Sequence, residues 1–159
     1  MSIVVDITEI SAMVAAAGVM IGVVYYILEI RQQTRIRQTD LVMRLYSTRG
    51  SKEFQEALKN VMTAKPENYK DYENWWEWSD FIEVLIFFEG IGILLHRKLI
   101  DIKLADDLFS TLIKASWEKI RSVVEGVRKY HSSPQIAEYF EYLYNEMKKR
   151  EQKLQQSKA

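Results

Sequence analysis

Residues Ile10 to Leu28 read ISAMVAAAGVMIGVVYYIL, 19 consecutive positions without a formal charge. At about 1.5 Å of rise per residue an α-helix of this length covers about 28 Å, close to the hydrocarbon thickness of a bilayer. A helix satisfies its own backbone hydrogen bonds, so a single such segment is physically sufficient to cross lipid. Tyr25 and Tyr26 stand at the C-terminal end of the block, where amphipathic rings suit the membrane–water boundary. The block therefore predicts a transmembrane helix, the lipid bilayer being the first partner the sequence implies.

The flanks give the expected orientation. Asp6 and Glu9 precede the block with no basic side chain, whereas Arg31, Arg35, Arg37 and Arg44 follow it. Positive flanks stay in the cytoplasm, which places the N-terminus outside and the C-terminal part inside the cell membrane. A cleaved signal peptide needs a basic segment before its apolar core, and the first basic residue here is Arg31. A second apolar run, Phe81 to Leu95, is shorter and carries Glu83 and Glu89, each costly at membrane depth. It reads as a core helix of the cytoplasmic part.

The rest of the chain reads as helical throughout. From Glu29 to Tyr46 there is no Gly or Pro, and Ile30, Ile36, Leu41 and Leu45 recur at roughly helical spacing. One long helix over about residues 8–48 is expected, with Gly50 as its stop and Ser51 as the cap of the next. That second helix, Ser51 to Ala64, carries an apolar stripe of Phe54, Leu58, Val61 and Met62. A third begins near Tyr69 and ends near Leu95, with Gly90 and Gly92 allowing a kink or a close helix approach. A fourth, about Ile102 to Tyr130, presents Leu104, Leu108, Leu112, Trp117, Ile120, Val124 and Val127. Pro134 fits the first turn of a fifth, which shows Ile136, Phe140, Leu143 and Met147 before a polar end. The fold class expected is all-α: a long N-terminal transmembrane helix continuing into a bundle of about four further helices. The organisation is residues 1–30 as outer N-terminus and span, 31–150 as cytoplasmic bundle, and 151–159 as a polar tail. Residues 51–90 carry a net charge of −5 and residues 91–159 a net charge of +4. Opposite segments of this kind can pair across helices, although surface pairs are individually weak.

Three stretches, FFEGIGILLHRKLID (Phe87 to Asp101), SWEKI (Ser116 to Ile120) and YFEYLYNEM (Tyr139 to Met147), resemble a prokaryotic family of unknown function, the DUF4760 proteins. The order of an apolar span, EIRQQTRIRQ and then LYxxxxSxEFxEA (Leu45 to Ala57) resembles the same family. The resemblance implies a single-pass, mostly helical membrane protein. It carries no chemistry, so no functional residue transfers with it.

Composition excludes several function classes. Basic and acidic residues number 22 each, which argues against a dedicated nucleic-acid binder. There is no cysteine, so disulfides, thiolate metal sites and thiol nucleophiles are ruled out. Asp80, Glu83 and Glu89 lie in or beside one apolar run, but Glu83 and Glu89 are six apart and face differently on a regular helix. The expectation for Glu89 is an ion pair with a nearby Arg or Lys. His96 follows Glu89 by seven residues and shares its face, a two-ligand arrangement better read as packing at a helix end, and His131 falls in a solvated loop. No catalytic, metal or cofactor site emerges, and the chain reads as a non-enzyme.

The remaining candidates concern association. Ser11, Ala15, Gly18 and Gly22 form one small-residue stripe along the span, a pattern that lets helices approach closely in lipid, and Glu29 lies near the same face at its cytoplasmic edge. This is the expected oligomerisation face. Arg31, Arg35, Arg37 and Arg44 form an interfacial basic cluster suited to anionic headgroups. Trp75, Trp76 and Trp78 cannot all face one core, so some exposure is expected there, and the two readings are ordinary packing and a partner or membrane contact. The function expected is a membrane-anchored, self-associating helical scaffold that binds a cytoplasmic protein partner. The alternative is a homo-oligomeric ion channel whose pore is lined by the same stripe, with Glu29 at its mouth.

Overall fold

The computed structural model describes residues 7–64 and 78–157. Among the described residues the chain is five α-helices with no strand: α1 (Ile7–Gly50), α2 (Lys52–Thr63), α3 (Trp78–His96), α4 (Ile102–Tyr130) and α5 (Glu138–Gln156). The expected start of the third helix near Tyr69, and the expectations for Trp75 and Trp76, lie outside the described residues. The chain divides into two compact units, Met1–Asp40 and Leu41–Ala159.

In the first unit α1 is long and apolar enough to cross a membrane, with a mean hydropathy of 2.1 over its most apolar 18 residues and none of that stretch buried. All the side chains from Ile10 to Leu28 are exposed. Hydroxyls on this helix bond back to their own turn, as Ser11 Oγ does to the Ile7 carbonyl.

The second unit is the bundle. Ser51 ends the first helix and starts the next: its Oγ accepts the Phe54 N–H, and α2 buries Phe54, Ala57, Leu58 and Val61. Asp101 caps α4 in the same way, accepting the Leu104 N–H at 2.8 Å. An aromatic seam runs through the core. Phe54 meets Phe87 with ring centroids 4.4 Å apart, Phe88 stacks on Phe140 at 4.7 Å, and Trp117 meets Phe140 edge-on at 5.1 Å. Four helices are thus tied through six-membered and indole rings, each fully buried ring contributing a few kcal/mol of transfer free energy.

Three expectations need correction. The seam of α4 begins one residue later than its sequence stripe: Ala105, Phe109 and Ile113 are buried, while Leu104, Leu108 and Leu112 flank the core half-buried. Pro134 does not sit in the first turn of α5; it lies in a turn four residues before Glu138. Among the described residues no interhelix ion pair joins the acidic and basic segments. Arg128–Glu141 (2.8 Å), Lys148–Glu118 (3.6 Å), Lys114–Glu151 (3.2 Å) and Arg150–Asp106 (2.7 Å) all join α4 to α5, inside the basic segment. These pairs carry α5 through its polar end as helix, to Gln156.

Candidate functional site

The motif FFEGIG places two groups on the side of α3 that meets α5. Glu89 spreads its carboxylate over the first turn of α5: Oε1 accepts the Tyr139 N–H at 3.2 Å and Oε2 accepts the Phe140 N–H at 2.7 Å. This corrects the expected ion pair with Lys or Arg. The cause is local to α5. Its N-cap position is Ala137, which has no side-chain acceptor and sits in the left-handed region at φ 59°. The free N–H groups and the positive end of the helix dipole therefore take an anion from another helix, fifty residues away in sequence.

Gly92 makes that contact possible. A Cβ built there would fall on the Tyr139 carbonyl oxygen, 2.5 Å from its carbon and 3.0 Å from the Tyr139 Cβ. Gly90, two residues earlier, has nothing within 4 Å of such an atom. His96 closes the same corner, with its ring edge-on to Tyr139 at 5.4 Å and to Tyr142 at 5.3 Å. Arg128 fixes the loop into α5 by donating Nε to the Ile136 carbonyl at 2.8 Å while its Nη2 meets Glu141. Arg128 carries no sequence signal beyond an ordinary helix residue, so its part was not legible.

The three carboxylates considered together in the sequence do not converge. Asp80 accepts the Asn60 side-chain amide at 2.7 Å, Glu83 is exposed, and Glu89 serves the backbone of α5. Among the described residues no group of three or more His, Asp or Glu is placed to hold a metal ion. His131 is exposed, against the Tyr130 ring. Asp106, four-fifths buried with Arg150, has a shifted affinity for protons. Burial pushes its pKa up, but hydrogen bonds from Arg150 and Ser110 and the charges of Arg150 and Lys114 outweigh this and leave it below the usual value.

Residues on α1 are placed as follows. Ser11, Ala15, Gly18 and Gly22 are exposed, and a Cβ on either glycine would meet nothing within 4 Å. Glu29 accepts the Gln33 side-chain amide at 3.2 Å, one turn on. Arg31, Arg35 and Arg37 are exposed in the first unit and Arg44 is exposed in the second. Trp78 is half-buried, stacked on Phe81 at 5.1 Å, which makes it part of the packing of α3.

A family described as Domain of unknown function (DUF4760) matches residues 12–147, from inside the apolar block to the last core residue of α5. The chain belongs to this family. Two of the stretches that resemble the family build the α3–α5 corner of this DUF4760 chain: FFEGIGILLHRKLID supplies the capping carboxylate of Glu89 and the Gly92 that admits a carbonyl, and YFEYLYNEM supplies Tyr139 and Phe140, which receive them. Neither the curated proteins nor the solved structures gave a match.

Proposed function

We propose that this chain is a single-pass membrane protein, N-terminus outside and bundle in the cytoplasm, that self-associates through its span and acts as an anchored, non-catalytic interaction module. The observation that carries the reading is the exposure of the apolar block. Ten large aliphatic side chains between Ile10 and Leu28, among them Val14, Met20, Ile21 and Leu28, are exposed. Each gains about 1.5–3 kcal/mol on leaving water, so roughly 20 kcal/mol is realised only in an apolar surrounding. That exceeds the whole stability of a typical domain, about 5–15 kcal/mol. Arg31, Arg35 and Arg37 beyond the block support the orientation. The stripe of Ser11, Ala15, Gly18 and Gly22, open along α1, supports the self-association, and the bundle's partner is a cytoplasmic protein.

Two measurements test this. Membranes containing the full chain are washed in carbonate and centrifuged; the chain stays in the pellet, and its appearance in the supernatant without detergent refutes the anchor. Mass measurement in detergent then gives a dimer, which Gly18→Leu with Gly22→Leu reduces to monomer. A dimer that survives both substitutions refutes the stripe as the contact. Four or more subunits with ion flux in liposomes replaces the scaffold reading with the channel reading.

A further inference from the structure

The bundle has one helix whose composition and environment disagree. α3 is apolar around most of its circumference, a pattern that belongs to helices buried on all sides. One line along it nevertheless faces outward. Glu83 is exposed, Ile86 is 62% exposed, Gly90 stands in open space and Ile93 is only half-buried. Arg97, whose N–H continues the helical turn to the Ile93 carbonyl, is exposed at the other end. At 100° per residue, positions 83, 86, 90, 93 and 97 fall within about a quarter of the helix circumference.

This line carries opposite charges at equal distances from its centre, so a half-turn sets each charge against its opposite. Gly90 is its midpoint; Glu83 lies seven residues before it and Arg97 seven residues after. Among the described residues neither side chain has a hydrogen-bond or ion-pair partner. The centre is the residue with no side chain, flanked by Ile86 on one side and Ile93 on the other.

We propose that the occupant of this face is a second copy of the chain, packed antiparallel α3 against α3 about a twofold axis through Gly90. Twofold interfaces are self-complementary: each residue meets the partner's counterpart across the axis. Here Gly90 faces Gly90 of the partner subunit, Ile86 packs on the partner's Ile93, and Glu83 pairs with the partner's Arg97. A parallel pairing would instead bring like charges together at both ends, which is unfavourable. One helix face buries less than the roughly 800 Å² per partner of a stable soluble dimer. The contact therefore depends on the two chains already being held in one bilayer, where association becomes effectively intramolecular. The proposal rests on the self-association proposed above and adds a second contact to it.

The absence of cysteine makes the test clean, because every thiol is an introduced one. The full-length chain is reconstituted in lipid with Gly90→Cys, a position where a Cβ meets nothing within 4 Å in its own subunit. Mild oxidation links Gly90→Cys into a covalent dimer, well ahead of Asp107→Cys, an exposed position on α4 that reports random collision. With a short bismaleimide, a mixture of Glu83→Cys and Arg97→Cys chains links, whereas neither links to itself. In the antiparallel register the two copies of position 83 lie about 21 Å apart along the helices, against a Cα separation of about 7 Å for a disulfide. Charge reversal gives an independent reading: Glu83→Arg lowers the Gly90→Cys yield at least about fivefold, and Glu83→Arg with Arg97→Glu restores it.

Gly90→Cys linking no faster than Asp107→Cys, in chains whose mass is dimeric, overturns this interface and leaves the span contact standing. Glu83→Cys and Arg97→Cys each linking to their own kind overturns the antiparallel register. A chain that is monomeric in lipid overturns the self-association reading itself.

Discussion

Two glycines two residues apart on α3 are expected to respond oppositely to the same substitution. In Gly92→Ala the new methyl overlaps the Tyr139 carbonyl and stands 2.5 Å from its carbon, and the obstacle is backbone, which has no rotamer to change. An ordinary carbon–carbonyl contact needs the N-terminus of α5 to retreat by about 1 Å, within the usual 1–3 kcal/mol cost of overpacking. That retreat stretches the Glu89 bonds to the Tyr139 and Phe140 N–H groups, now 3.2 and 2.7 Å, beyond hydrogen-bonding range. Losing a helix cap costs about 1–2 kcal/mol more. The total is roughly 2–5 kcal/mol, a loss of about 10 °C in melting temperature for a chain of this size. Gly90→Ala meets no atom within 4 Å and replaces the poorer helix former by the best one, so it leaves stability unchanged or raises it by up to about 1 kcal/mol. The assay is urea unfolding of the full chain in a mild detergent, followed by tryptophan fluorescence with Trp117 in the core as reporter. Glu89→Ala, which removes the cap without overpacking, should give the 1–2 kcal/mol part alone. Equal effects of Gly92→Ala and Gly90→Ala would refute the reasoning.

Other substitutions test separate features of the bundle. Ser116 is fully buried with no hydrogen-bond partner for its Oγ, so Ser116→Ala should raise stability by about 1 kcal/mol in the same unfolding assay. Lys98 follows the end of α3 at φ 58°, where a side chain is strained; Lys98→Gly should raise the melting temperature by a few degrees, corresponding to about 1 kcal/mol. Asp106 has its pKa depressed in the folded state, so its contribution is present above its ordinary value of 3.8 and is lost as pH falls through the lower folded value. Stability measured from pH 5 down to pH 2 should therefore fall less steeply in Asp106→Asn than in the parent chain, while the two curves run parallel near neutrality.

Much of the fold was legible because its signals are local. Ser51 and Asp101 cap helices with their own side chains, within three residues of the N–H they accept, and both ends of α4 follow from sequence. The start of α5 did not. Ser132, Ser133 and Pro134 are stronger local start signals than Ala137, yet the helix begins where Glu89 supplies an acceptor from another element. Leu104, Leu108 and Leu112 formed a regular stripe, but the larger Phe109 took the centre of the seam, held against Phe87 at 6.2 Å. Periodicity defines a face to within about one residue; ring packing chooses among neighbours on it.

Sequence alone settled that residues 10–28 are long and apolar enough to cross a membrane, because nineteen charge-free positions act through their summed transfer free energy whatever their neighbours. It settled the helical class for the same reason, spacing being a property of the chain with itself. What Glu89 binds, why Gly92 and not Gly90 must lack a side chain, and which line of α3 stays uncovered depended on groups fifty residues apart meeting in space. Those contacts are specified by distances between helices, and no linear pattern encodes a distance.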